Sequence, residues 1–291
     1  MTRTDVVQLF LLSAVWGVSF LLIKWSGEVF PPLWVASLRC VFGVVVLWLA
    51  LRLGHHTLPP ARLWKPLLLV ALFNNVVPWT FFAWGEQSVS SNIAAILNAT
   101  TPLFTLLISL GVRETVPSAR VILGVVLGLG GVGLTVAGGL SGGHASVLGV
   151  SVLAAAGLGY ALATVVAKRT LGGLNPVGLA TTQLSLAGLM LLPAALIGPS
   201  PAALSSQAVL SVLFLGVFGS GFAYLLYYGL LSRISSTQVS AVTYLLPIWG
   251  LIWGAVAGER VGLLSLVGVG VILVGLALLN LRFRRRGMAA A

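Results

Sequence analysis

The chain has 291 residues, 58% of them hydrophobic and 7% charged, with a formal net charge of +11. A soluble globule carries roughly 25% charged residues, so this chain has too little polar surface to coat itself in water and is read as a membrane protein. The lone Cys40 excludes an intrachain disulfide, and the excess of basic residues is to be judged by where they fall.

Crossing about 30 Å of hydrocarbon at about 1.5 Å per residue takes roughly 20 apolar residues. Ten such stretches follow one another, at 6–25, 33–52, 64–84, 92–111, 119–139, 146–167, 176–197, 208–231, 237–257 and 262–281. Span 1 is preceded only by Arg3 and runs into KWSGEVFPP with no small-residue cleavage site, so it is expected to stay as a true span rather than a signal peptide. It carries Trp16 and Ser19 and ends at Lys24. Span 2 holds Arg39, the one basic residue well inside a span, where an unpaired charge is costly. Arg39 either snorkels or pairs with carbonyls or a glutamate, or else it holds a substrate carboxylate or latches a gate.

In span 3, NNVVPWTFFAW places Asn75, Trp79 and Phe82 on one face with Asn74 beside them. Pro78 removes a backbone donor and crowds a carbonyl one turn earlier, which predicts a kink near the midplane. Span 4 aligns Asn98, Thr101 and Thr105 next to Pro102. Asn98-Ala99-Thr100 is formally a glycosylation acceptor, but inside a span it is not expected to be modified. In span 5, residues 128–133 read GLGGVG, a literal dinucleotide fingerprint without the strand, helix start or acid that the motif needs. Gly124 and Gly128 instead form a small-residue face suited to close helix packing, matched by Gly268 and Gly275 in span 10, so both spans are expected to be scaffold. GGLSGGH at 138–144 reads as a flexible junction.

Span 6 offers Tyr160 and Thr164 and ends at Lys168, and span 8 offers Ser220, Tyr224, Tyr227 and Tyr228. Span 9 brings Ser240, Thr243 or Tyr244, and Pro247. Tyr227, Tyr228, Trp25, Trp34, Trp48, Trp64 and Trp84 lie near span ends and are expected as interface anchors. One side of the resulting topology receives thirteen basic residues and the other only Lys24 and Arg260, which is the positive-inside bias. Both termini are therefore expected in the cytoplasm of a bacterial-type inner membrane, and the charge speaks for topology and lipid heads rather than nucleic acid.

The sequence is written twice. SSNIAAILNATTPLFTLLISLGVRE at 90–114 and SSTQVSAVTYLLPIWGLIWGAVAGE at 235–259 match at an offset of 145, pairing Pro102 with Pro247 and Glu114 with Glu259. Lys24 and Lys168, Pro32 and Pro176, Arg39 and Gln183, and Gly85 and Gly229 match at an offset of 144. Two units, 1–143 and 144–291, are thus expected, and five spans in each force opposite orientations in the membrane. Inverted halves that exchange shapes are a physical basis for alternating access.

These features, with WG followed by lysine in span 1 and glycines behind each Pro-to-Glu block, resemble the drug/metabolite transporter superfamily, and more narrowly its EamA-type exporters. The second half departs from the first in having Gly159-Tyr160 where the first has Trp16-Gly17. The resemblance implies an all-α fold of ten helices around a central cavity and export of small metabolites, with the aromatic amino acid exporters as the leading branch. A broad exporter of drugs or other metabolites is the alternative within transport, and a receptor or scaffold the alternative outside it.

An apolar pocket with a few placed polar groups holds a small ligand, so Trp16, Ser19, Asn74, Asn75, Trp79, Phe82, Asn98, Thr101, Tyr160, Tyr224, Ser240 and Tyr244 are the substrate-binding candidates. Pro78, Pro102 and Pro247 are candidate hinges, and Lys24 and Lys168 candidate gate latches. Glu114 and Glu259 are expected to brace helix ends near Arg113 and Arg260. Asp5, Glu28, Glu86, Glu114 and Glu259 all fall at or beyond span ends, so no proton-binding carboxylate is expected in the cavity, and transport is expected to be facilitated or exchange-like. With no fixed counter-charge there, neutral or zwitterionic solutes are favoured. No metal-ligand cluster, serine elbow or paired deep acids occur, so neither an enzyme, a metal nor a cofactor is expected. The expected partners are a small solute, the bilayer and at most a second copy of the chain.

Overall fold

Among the described residues of the computed structural model, which are 2–111, 119–171, 173–231, 233, 234, 239 and 242–280, every regular element is helical. Eight helical runs are long and apolar enough to cross a bilayer, and two shorter apolar helices complete the ten. Spans 1, 2, 5, 6, 7, 9 and 10 are the helices Arg3–Gly27, Pro32–Leu53, Ala119–Ser141, Val147–Thr170, Pro176–Ile197, Val242–Val256 and Leu263–Asn280. Their starts carry the side chains that satisfy unpaired N–H groups: Thr2 and Asp5 form a capping box on span 1, while Ser146, Asn175 and Ser205 cap spans 6, 7 and 8. Leu49, Leu189, Ile197 and Leu210 lie exposed on the outer sides, as hydrocarbon requires.

The remaining spans are interrupted. Span 3 runs Trp64–Ala71, then a π turn at Leu72–Val76, then Val77–Gly85. Span 8 repeats this as Ser206–Gly216, a π turn at Val217–Phe222, and Ala223–Leu231. The two π turns begin 145 residues apart, the repeat offset to within one residue. Pro78 follows the first, as its crowding of the preceding turn predicts, but span 8 has no proline there, so proline is not what the two turns share. Span 4 is split into Ser91–Asn98 and Thr101–Gly111 just before Pro102, whereas Pro247, its sequence match, lies inside an unbroken helix.

Packing obeys the repeat. Span 1 packs on spans 9 and 8 just as span 6 packs on spans 4 and 3, and spans 2 and 7 pack on each other. Spans 5 and 10 also pack on each other, at a distance only glycine permits: a methyl group on Gly131 would sit 2.6 Å from the Gly268 carbonyl oxygen, and one on Gly275 would sit 2.7 Å from that of Gly124. The close helix packing expected of these glycines is what the structure shows.

Candidate functional site

The π turns decide what meets at the interface of the halves. A π turn loosens the helical ladder by one residue and leaves carbonyls open to other donors. Arg39 of span 2, only 7% exposed, uses the turn in span 8: its Nε donates to Ser220 Oγ at 2.9 Å and its Nη2 to the Gly219 carbonyl at 3.3 Å. Trp16 Nε1 donates to the same carbonyl at 3.2 Å. The guanidinium lies 4.1 Å from the ring centre of Trp79, a contact that lets a cation stay far from water.

Gln183, the repeat counterpart of Arg39, reaches the turn in span 3 through a side chain rather than a carbonyl. Its Nε2 donates to Asn75 Oδ1 at 2.7 Å. Asn75 Nδ2 in turn donates to the Tyr224 hydroxyl at 2.7 Å, Asn74 Nδ2 donates to it at 3.2 Å, and the Tyr228 hydroxyl donates to Gln183 Oε1 at 2.9 Å. Each half therefore sends one long polar side chain into the opposite half's π turn, and the two connections meet where the rings of Trp79 and Tyr224 lie 6.4 Å apart. Tyr160 and Phe82, 6.2 Å apart, extend the aromatic wall.

Of the candidates from sequence, Trp16, Asn74, Asn75, Trp79, Phe82, Tyr160 and Tyr224 are brought together here. Ser19 lies beside Gly219 but spends its hydroxyl on the Val15 carbonyl at 2.9 Å. Asn98 and Thr101 sit at the break in span 4: Thr101 Oγ1 donates to the Asn98 carbonyl, and Asn98 Oδ1 is buried with no partner among the described residues. Ser240 and the side chain of Tyr244 lie outside the described residues.

Three expectations are corrected. Tyr228 is not an interface anchor, because its hydroxyl is committed to Gln183. A fixed charge does lie at the interface of the halves, since Arg39 pairs with polar groups there and has no glutamate bonded to it among the described residues. Gln183 was not among the candidates, although its place opposite Arg39 in the repeat is the signal that marks it. Two hollows lie elsewhere, one bounded by Pro31, Trp34, Trp84 and Pro199, the other by Trp48, Arg52, His55 and His56.

A second polar cluster closes the far end of span 1. Lys24 Nζ reaches Glu259 Oε1 at 2.6 Å, and Glu259 also accepts from the Ser91 N–H and hydroxyl, both at 3.0 Å, and from the Asn92 N–H at 3.1 Å. One carboxylate thus joins spans 1, 4 and 9 and caps the first turn of span 4. Gly258, at φ +75°, makes the left-handed turn that points Glu259 back at them. Burial pushes this carboxyl up, but the Lys24 ammonium and the two N–H groups outweigh it and hold it below the usual range. Glu259 does brace a helix end, as expected, with Lys24 as its cation. Glu114 and the side chain of Lys168 lie outside the described residues.

The EamA-like transporter family model matches the chain twice, at residues 5–137 and 147–281. An uncharacterized transporter of Bacillus subtilis, YvbV, is 28% identical over 99% of this chain and 95% of its own length. An uncharacterized inner membrane transporter of Escherichia coli K12, YedA, is 31% identical over 94% of this chain and 89% of its own. A crystal structure of a protein 21% identical superposes with a TM-score of 0.69 over 96% of both chains, which speaks for the fold alone.

Proposed function

The chain belongs to the EamA-like transporter family, and from that premise we propose that it exports small amphipathic metabolites, foremost amino acids with aromatic or neutral side chains, across an inner membrane by alternating access. The observation that carries this reading is the reciprocal pair, Arg39 in the π turn of span 8 and Gln183 in that of span 3. A site built from matching parts of inverted halves sits on the axis about which the halves exchange shapes. Arg39 supplies the positive charge for a carboxylate, in the planar geometry that suits two oxygens. Trp79, Trp16, Tyr160, Phe82 and Tyr224 pack on an apolar body, and Asn74, Asn75 and Gln183 fix the remaining polar end.

Lys24 and Glu259 hold one face shut in the conformation described. With both termini in the cytoplasm, that face is the outer one, and units 1–143 and 144–291 rock about the axis, with Pro78, Pro102 and Pro247 as hinges. By the offset of the repeat, Glu114 and Lys168 are the matching residues for the inner face.

The test is flux. Purified protein in liposomes should carry labelled phenylalanine and tryptophan with saturable kinetics and threonine more slowly, and Arg39→Gln should abolish the preference for solutes bearing a carboxylate. Absence of flux for all three would remove the amino acid assignment, and equal rates for the three would remove the aromatic preference.

A further inference from the structure

Glu86 stands apart from every other acid described. It follows the last residue of span 3 between Gly85 and Gln87, yet it is 4% exposed, and both of its carboxyl oxygens are buried without a hydrogen-bond partner among the described residues. Its backbone is fixed, with the N–H donating to the Phe82 carbonyl at 3.0 Å. It lies within electrostatic reach of the Lys24–Glu259 pair that joins spans 1 and 9 at this end. Gly85 is pressed against Leu153 of span 6, and Ser90 is held to the His144 carbonyl, so the turn carrying Glu86 is drawn under the start of span 4.

The charged groups acting on it are Glu259 after span 9, Lys24 of span 1 and Arg39 of span 2. Ser90, Ser91 and Asn92 at the start of span 4 carry no charge, and the N–H groups of Ser91 and Asn92 are spent on Glu259. Lys24 is committed to Glu259. A carboxylate in this position is shut off from bulk solvent with no donor on it among the described residues, and isolated buried ions are neutralised rather than tolerated. Burial first and the Glu259 charge second push the carboxyl well above the usual range, consistent with that geometry.

We propose that Glu86 is a proton-binding site that must be filled for the outer face to close, so that closure takes up one proton and opening releases it. This rests on the alternating-access reading above and leaves the expectation of no proton-binding carboxylate in the cavity as it stands, since Glu86 lies at the end of span 3. When span 9 withdraws and breaks the Lys24–Glu259 contact, water and the freed ammonium become available to Glu86, and its proton leaves to the outer solution. The sign follows from linkage: a carboxyl raised in the closed state favours closure at low pH, and the closed-to-open ratio falls by up to tenfold per pH unit, about the limit for one proton. Glu259 has the opposite sign, because a carboxyl lowered in the closed state loses its contribution as pH falls.

Spin labels at Gly27→Cys and Gly262→Cys, in a Cys40→Ser background, report the outer opening, since neither glycine has a neighbour within 4 Å of an added side-chain carbon. Pulsed dipolar spectroscopy of the protein in nanodiscs between pH 5 and 9 should show the long separation growing with pH. Glu86→Gln should hold the short separation throughout, and Glu86→Asp should restore the pH response. A pH-independent distribution in the parent, or an unchanged pH response in Glu86→Gln, overturns the proposal. Labelled phenylalanine flux measured on the same protein separates the two readings: pH-driven opening with no flux of any amino acid leaves Glu86 standing and removes the substrate assignment.

Discussion

Replacing Glu259 with alanine removes four contacts at once, and their values can be ordered from their surroundings. The ion pair is half open, with the Lys24 side chain 37% exposed and that of Glu259 7% exposed, so it is worth about 0.5–1 kcal/mol. The cap on Ser91 and Asn92 is charged and better buried, and is worth about 1–2 kcal/mol. Together they favour closure of the face at Glu259 by about 2 kcal/mol, or roughly thirtyfold in population. Lys24→Met removes the ion pair alone and should release the face by roughly two- to fivefold. A cysteine at Asn98, below the closed layer formed by Asn92, Ala95 and Gly250, reports the difference through its labelling rate by a membrane-impermeant thiol reagent on intact cells carrying Cys40→Ser. The expected order is Glu259→Ala fastest, Lys24→Met next, parent slowest. Equal rates, or Lys24→Met above Glu259→Ala, would refute the idea that the cap carries most of the latch.

Trp79→Ala should lower kcat/KM for phenylalanine roughly tenfold, the loss of about 1–2 kcal/mol from a buried cation–π and aromatic contact, read from flux in liposomes. Gly131→Ala should destabilise the protein by about 1–3 kcal/mol in a thermal unfolding assay, because the added methyl meets the Gly268 backbone, while Gly130→Ala, with open space around it, should leave the melting temperature unchanged. Below the usual carboxylate range, Glu86→Gln protein should begin to open at its outer face, since Glu259 is then being protonated and its lowered value marks a contribution lost on acidification; the same label pair measures this. Gln183→Leu should weaken the tie to the span 3 turn and leave Asn75 Oδ1 buried and unpaired, a loss of about 1–3 kcal/mol in stability together with reduced flux.

The ten spans and their tandem order are legible in the sequence because hydrocarbon thickness fixes helix length, and apart from the start of span 9, which lies outside the described residues, helix ends fall within a few residues of those expected. Asn75, Trp79 and Tyr224 are legible as site residues because deep polar and aromatic groups have few other uses. Tyr228 is not, because counting from the end of span 8 places it at the bilayer surface, while the π turn above it shifts the phase of the helix and swings its hydroxyl to Gln183. Glu86 is not legible for a different reason. Its position along the chain says span end, while in the fold it is 4% exposed, next to a Gly85 packed tightly on Leu153 of span 6. Pro102 and Pro247 show the limit of reading by repeat: equal in sequence, one follows a broken helix and the other sits within a continuous one.

The twin π turns also carry a date. A π turn amounts to one residue inserted into an α-helix, and each such insertion rotates everything beyond it by about 100°. Two separate insertions landing at matching places in spans 3 and 8 would each have had to disturb a working interface on its own. A single insertion in a five-helix unit, copied when the unit was doubled, accounts for both, so the loosened turn that Arg39 now uses belonged to the unit before it had a second half to bring to it.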